Sequence, residues 1–402
     1  MIMSWLRCRS TVLLTSLAIF VCSSLAAQNS PPDPAAQFRV AGKVVNKLGG
    51  ASLARTRIIL RNVKDTKDAQ SQLTGDDGRF EFRVRAGKYA LHGAKRGFIS
   101  ADYNQHEQYS SAIVTGTGVD TENLVLQLAP SAVLSGKVLD ESGEPVRRAD
   151  VTLWREDHLT GVSRIAHFRN SLTDDLGTYE FTPLDAGTYF LSVNSKPWYA
   201  VHPATTSSDN APVQPTVVDR GLDVVYPTTY YAGATESDEA TVIPLGGGDR
   251  LELDLRLTPV PALHVVFRGP QDPEKGFMMP RLQKRVFDAF DVPRGNEDVR
   301  MVSPGVFELT TAPGKYTVRL AGPAQSSRVN DVDLLQDHQV IDISSGEASS
   351  NISASVHVLG ETTTPRGLFL LLREPQRRGA AFGQVNGKGD VQFPTSLPAP
   401  TS

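Results

Sequence analysis

Two stretches decide the fold: Leu73-Thr-Gly-Asp-Asp-Gly-Arg-Phe-Glu-Phe82 and Leu172-Thr-Asp-Asp-Leu-Gly-Thr-Tyr-Glu-Phe181. In each, an Asp/Gly turn opens a strand whose aromatic residues stand two apart and so face one way. Four or five residues on come Ala86-Gly-Lys-Tyr-Ala-Leu91 and Ala186-Gly-Thr-Tyr-Phe-Leu191, where Gly makes the turn and Tyr begins the next inward-facing set. Gly87 and Gly187 lie 100 residues apart, so the pattern is an internal repeat.

Working outward, Arg39-Val-Ala-Gly-Lys-Val-Val45 matches Leu134-Ser-Gly-Lys-Val-Leu139, and each precedes an alternating strand, Thr56–Leu60 or Asp150–Trp154. Trp154, inside such a strand, is assigned to the core. Each unit closes with another alternating strand, Leu124–Leu128 or Leu251–Leu257, and then a proline. A worn third copy runs from Ala262–Phe267 through Gly305–Leu309 to Ala312–Val318, and a fourth takes in Ile352–Val358, Leu368–Leu372 and Asn386–Asp390. No helical periodicity rivals these strands, so the pattern predicts an all-β chain of serial β-sandwiches. The expected division is a signal peptide (1–27), a linker (28–37), and modules over 38–130, 131–259, 260–349 and 350–402. Pro130 and Pro259-Val260-Pro261 punctuate the joints, and few contacts are expected to cross them. Aligning Gly389–Phe393 with Gly177–Phe181 breaks the repeat where the Gly-x-Tyr turn should follow. The fourth module is therefore expected to be incomplete, with Leu370 and Leu372 under-covered: either a loosely ordered tail, or a half-module whose open edge is completed by module three, a partner or a second copy.

The order Gly-Lys-Val, Asp-x-x-Gly or Asp-Gly with aromatic-Glu-Phe, then Ala-Gly-x-Tyr, resembles the carboxypeptidase regulatory-like domains. Tyr226-Pro-Thr-Thr-Tyr-Tyr-Ala-Gly233 is similar to tandem versions in exported acidobacterial proteins. The resemblance implies tandem transthyretin/Ig-like or Cna-B-like β-sandwich modules of carbohydrate-binding-like fold, the last one incomplete, and implies little about function. In Cna-B-like pilin domains an early-strand Lys is crosslinked with help from a Glu six residues after the Gly-x-Tyr glycine. Here those positions are Gly93 and Val193, so no crosslink is expected at Lys43 or Lys137.

Composition narrows the possibilities. The 402 residues are 40% hydrophobic and 21% charged, with 33 Gly and 26 Pro, as in a folded, turn-rich protein. A net charge of −3 argues against nucleic-acid binding through bulk positive charge. Arg7 and Arg9, the apolar stretch Thr11–Leu25 and small residues before Gln28 make a cleaved secretory signal the expected fate of residues 1–27. The protein is then exported, whether periplasmic, outer-surface or secreted, with no transmembrane segment left after cleavage. Its only cysteines, Cys8 and Cys22, go with the signal, which leaves neither disulfide nor thiol chemistry.

Enzyme motifs are missing. A zinc carboxypeptidase needs His-x-x-Glu and a distant His, yet none of the eight histidines has Glu three residues on, and no Gly-x-Ser-x-Gly occurs. The pairs His106-Glu107 and Asp157-His158 are read as solvated loop residues. Asp76-Asp77 and Asp174-Asp175 are too few oxygens for calcium and are read as turn-stabilising. No metal or cofactor is expected.

What remains is surface. The second module carries a long insertion between Val193 and Leu251 with Trp198, Tyr199, Tyr226, Tyr230 and Tyr231, and the first a shorter one with Phe98, Tyr103 and Tyr109. Flat aromatic faces beside polar groups suit sugar rings, so these five residues are the candidate ligand site. The competing use of the same rings is to cap the sandwich or pack one module on the next. The expected function is a non-catalytic exported protein that binds carbohydrate or another envelope component. A purely structural spacer is the alternative, and an accessory chain to a peptidase is a further one.

Overall fold

The computed structural model describes residues 37–106, 109–158, 163–203, 219–269, 280–287, 289–291, 298–321, 327–344, 347–349, 352–356, 367–373 and 380–393. The expected signal peptide and most of the expected linker lie outside them. The chain divides into two compact units, residues 1–130 and 131–402.

The first unit holds β1 (Phe38–Asn46), β2 (Arg57–Asn62), β3 (Ala69–Leu73), β4 (Arg79–Val84), β5 (Gly87–Ala94), β6 (Ala101–Asp102), β7 (Ile113–Thr115) and β8 (Leu124–Leu128). They form two sheets, β4-β1-β8 and β3-β2-β5-β6, with β7 also on β5. In β4 the alternation sends Phe80, Phe82 and Val84 inward and Arg79, Glu81 and Arg83 outward. The inward set meets Ile58, Leu60, Tyr89 and Leu91 of the facing sheet. The shorter aromatic loop contributes Phe98 and Tyr103 to this core, while Tyr109 is exposed.

The second unit opens with the same order. β9 (Ala132–Leu139), β10 (Asp150–Asp157), β11 (Arg164–Leu172), β12 (Thr178–Leu184), β13 (Gly187–Asn194), β14 (Val224–Val225), β15 (Thr229–Tyr230), β16 (Ile243–Leu245), β17 (Arg250–Glu252) and β18 (Leu255–Arg256) follow in sequence. They build β12-β9-β17, with β18 also on β9, against β11-β10-β13-β15, with β16 also on β13. A third set comprises β19 (Val260–Pro261), β20 (Leu263–Arg268), β21 (Pro280–Val286), β22 (Ala289–Asp291), β23 (Asp298–Ser303), β24 (Val306–Thr311), β25 (Gly314–Ala321), β26 (Ser327–Leu334), β27 (Val340–Asp342) and β28 (Glu347–Ser349). Its sheets are β23-β24-β20-β27 and β22-β21-β25-β26-β28, so the worn third copy is a sandwich too. β29 (Ile352–Ser355), β30 (Phe369–Arg373), β31 (Ala380–Gln384) and β32 (Asp390–Phe393) make two antiparallel pairs, β29-β32 and β30-β31. There Leu370 packs against Val385 and Val391. The protein is thus all-β, a tandem of sandwiches, and the one helix among the described residues is the single 3-10 turn Ser237–Glu239.

The repeated motifs have physical work in each copy. The Gly-Lys-Val glycine lies where the closing strand runs parallel to the first: a Cβ at Gly42 would stand 2.1 Å from the Leu124 carbonyl oxygen, and one at Gly136 1.9 Å from that of Leu253. The turn aspartates accept from backbone amides, Asp77 from Arg79 at 3.0 Å and Asp174 from Leu176 and Thr178 at 2.9 and 2.8 Å. The Gly-x-Tyr tyrosines are buried, and each hydroxyl donates to the carbonyl four residues upstream. Tyr89 reaches Arg85 at 3.2 Å, Tyr189 reaches Asp185 at 2.9 Å and Tyr316 reaches Ala312 at 2.9 Å. Lys43 and Lys137 point outward into solvent, and a Cβ at Gly93 would meet Leu126 Cδ2 at 2.5 Å.

Gly42→Ala is expected to destabilise the first sandwich by about 2–3 kcal/mol, because backbone stands in the way of the new methyl. Gly116→Ala, with open space around it, should change stability by less than about 0.5 kcal/mol. Amide hydrogen exchange in β1 reads both.

Candidate functional site

A five-stranded antiparallel sheet ordinarily buries one face. In the second sandwich β10 is buried on both faces from Asp150 to Trp154, and β13 from Tyr189 to Asn194. Val151, Leu153, Leu191 and Val193 fill the interior. The opposite face carries Thr152, Trp154, Phe190, Ser192 and Asn194, and the insertion and the third sandwich cover it. Its polar groups bond among themselves: Trp154 Nε1 donates to Ser192 Oγ at 2.8 Å, Thr228 Oγ1 to Asn194 Oδ1 at 2.6 Å, and Asn170 Nδ2 to Asp150 Oδ1 at 2.9 Å. Trp154 is therefore buried as expected, but outside the sandwich interior.

Its cover is Phe287, at the tip of the β21–β22 hairpin. The Phe287 ring centroid lies 5.5 Å from Trp154, 4.9 Å from Phe190 and 5.6 Å from Tyr230. Its backbone has φ 51°, a left-handed conformation that bulky residues rarely adopt, so the contact outweighs a strain on the order of 1 kcal/mol. Around it the Phe287 amide donates to Ser237 Oγ at 3.0 Å, and Lys284 Nζ, its side chain 7% exposed, donates to the Thr235 carbonyl and to Glu236 Oε1 at 3.0 and 2.9 Å.

A second contact joins the same two sandwiches. β14, within the insertion, pairs with β19, and the Ala262 amide donates to the Asp223 carbonyl at 3.0 Å. The Asp223 carboxylate bridges His202 Nδ1 at 3.1 Å and His264 Nε2 at 2.9 Å. His264 is 2% exposed, and its Nδ1 lies 3.4 Å from Thr310 Oγ1. Asp, His and a hydroxyl in line have the chemistry of a nucleophilic relay, but Thr310 and His264 are both buried, so the arrangement acts as a bolt. The joint at 259–261 is thus crossed by many contacts, contrary to expectation: the insertion supplies apolar and polar partners that the proline punctuation conceals.

The five candidate residues separate. Tyr226 and Tyr230 are 1% and 0% exposed, so these two rings present no open face for a sugar, and Tyr231 packs half-buried against the sandwich core. Trp198 is 85% exposed and meets Tyr199 edge-on at 5.8 Å. The Tyr199 hydroxyl donates to Glu141 Oε1 and that of Tyr226 to Glu141 Oε2 at 2.7 Å, which clamps the insertion to the turn after β9. Residues 204–218 of the insertion lie outside the described residues.

Elsewhere, Asp157 pairs with Arg164, His158 lies near Glu156, and Glu107 falls outside the description. A groove of about 380 Å³ in the first unit is lined by Arg39, which Glu81 and Glu122 already hold at 2.9 and 2.8 Å. Among the described residues no cluster of three or more His, Cys, Asp or Glu is placed to hold a metal, and no helix is long and apolar enough to cross a membrane.

No family profile matches the chain, and no curated protein is similar to it. Among solved structures it is similar to the Bacillus anthracis TIE protein, at 14% identity and TM-score 0.21 over 76% of this chain, and it spans half the length of that protein. It is also similar to the shaft pilin SpaA from Lactobacillus rhamnosus GG, at 13% identity and TM-score 0.22 over 56% of this chain and 98% of that one. A Streptococcal ancillary pilin matches at 11% identity and TM-score 0.24 over 76% and 98%. Scores this low leave the functional argument to the geometry.

The Glu141 clamp is pH-sensitive. Partial burial pushes the carboxyl up, but hydrogen bonds from Tyr199 and Tyr226 outweigh it and hold the group below its usual value. Burial first, then the bond to Glu141, pushes Tyr199 up to about 12. A depressed acid stabilises above its unfolded value and loses that as pH falls; a raised tyrosine stabilises below its unfolded value, near 10, and loses that as pH climbs towards 12. The clamp should therefore hold at neutral pH and open at both extremes, with Glu141→Gln weakening it by about 1 kcal/mol at pH 7; exchange of the Val225 and Tyr226 amides against pH measures this. Phe287→Ala should cost about 3 kcal/mol and split the joint unfolding of the second and third sandwiches into two calorimetric transitions.

Proposed function

We propose that this chain is a non-catalytic structural spacer of the cell envelope, in which tandem sandwiches set reach and stiffness. The observation that carries the proposal is the use of the aromatic insertion: its rings and acids cover one sheet and seat the next sandwich. A loop committed in this way has little freedom to close on a ligand. Export to the envelope rests on the charged, apolar and small-residue order of residues 1–27. The modules' likeness to carboxypeptidase regulatory-like domains belongs to the same proposal.

The exposed Trp198 favours a second reading, a sugar platform at the clamp. One ring and an edge-on neighbour offer a smaller face than five convergent rings, which ranks it below the spacer.

Spin labels at Lys137→Cys and Lys315→Cys, both exposed, in a chain carrying Cys8→Ser and Cys22→Ser, test the spacer by pulsed dipolar spectroscopy. One narrow distance is expected, broadened by Phe287→Ala. A broad wild-type distribution, or a distance shifted by a neutral polysaccharide and restored in Trp198→Ala, would count against it.

A further inference from the structure

Charge is unevenly distributed along the chain. Residues 37–130 carry 14 Lys and Arg against 9 Asp and Glu, a net +5, whereas residues 131–402 carry 25 against 34, a net −9. The near-neutral total conceals a basic first unit and an acidic remainder.

Within the first unit the two outer sheet faces differ. On β4-β1-β8 the arginines are neutralised: Arg39 by Glu81 and Glu122, Arg79 by Asp77, and Arg83 by Glu81. On β3-β2-β5 the exposed cations Arg57, Arg61 and Lys88 form no ion pair among the described residues. Among the described residues of these strands and β6 the one acid on that face, Asp102, is taken by His92 at 2.7 Å. Register places Arg57 beside Ala94 and Leu73, and Arg61 beside Ala90 and Ala69, with Lys88 beyond Arg61 at the level of Val63. Rows on one face repeat about every 6.7 Å, so the three cations span about 20 Å along the strand direction. Between Arg57 and Arg61 the register places Ile59, flanked by His92 and Ser71.

We infer that this face docks a linear polysaccharide bearing a carboxylate on each repeat. Arginine forks match carboxylates bidentately, and the opposite face of this unit already holds two carboxylates on Arg39. No Trp, Tyr or Phe stands between the cations on these strands, as a membrane-surface site or a stacked nucleic-acid base would use, and the one imidazole there, that of His92, is held by Asp102. The acidic remainder of the chain is repelled by the same polymer, so contact is confined to the first unit. This site is independent of the spacer proposal and differs from the aromatic insertion.

The test is titration of the full chain with polygalacturonate. Binding is expected in 50 mM NaCl and should weaken by about tenfold or more at 200 mM, as counterion release requires. Arg57→Glu/Arg61→Glu/Lys88→Glu should weaken it at least tenfold. Lys43→Glu/Lys47→Glu/Arg96→Glu, with the same charge change placed elsewhere in the unit, should leave it within about twofold. The milder Arg57→Ala/Arg61→Ala variant, checked for unchanged melting, covers a folding failure of the first. Equal losses in the two triple variants, unchanged binding in the first, binding to anionic vesicles but not to the polymer, or salt-reversible self-association through this face would each overturn the inference.

Discussion

A sheet has two faces, and the organisation of the second unit depends on both being covered in its first sandwich. The interior of the sandwich seals one. The other carries Trp154, Phe190 and Tyr230, whose exposure to water would cost roughly 2 kcal/mol or more per ring. Phe287 closes over them and in doing so fixes where the third sandwich sits. The Asp223 bridge between His202 and His264 and the β14–β19 pairing follow from that seating, since they satisfy polar groups that the aromatic contact has brought together.

Within each sandwich a smaller set of constraints recurs. A tyrosine hydroxyl closes the turn onto the carbonyl four residues back, and in the first two copies a turn aspartate caps its own amides. In the first two copies a glycine also makes room for a parallel strand. These are backbone requirements, indifferent to the side chains around them. That is why the third copy keeps Tyr316 and its bond to Ala312 while its other positions have drifted, and why its strand order still matches at the centre of each sheet.

The fold was legible because its signals are local: two-residue alternation, Asp/Gly turns and the Gly-x-Tyr step can all be read within ten residues. The candidate site was not. Alternation in Asp150–Trp154 identifies the two faces but not what lies over the second, and Thr152, Ser192 and Asn194 look like ordinary solvated positions. Phe287 lies more than 130 residues from Trp154, and the histidines of the bolt are separated by 62 residues, so no spacing rule links them. Tyr226 and Tyr230 stood out as exposed aromatics because their neighbours are prolines and small polar residues, the same composition that lets a loop wrap closely enough to bury them.

The parallel closing strand has a mechanical consequence. β1 and β8 lie side by side and run the same way, in register from Gly42 opposite Leu124 to Asn46 opposite Leu128. The chain therefore enters the first sandwich at one end of this pair and leaves at the other. Tension applied through the two ends pulls the strands in opposite directions along their length and loads all the bridging hydrogen bonds in shear, so that they resist together and cannot be peeled off one by one. β9 with β17 and β18, and β20 with β27, repeat the geometry. Each of these three sandwiches is therefore hardest to open along the direction of its parallel pair.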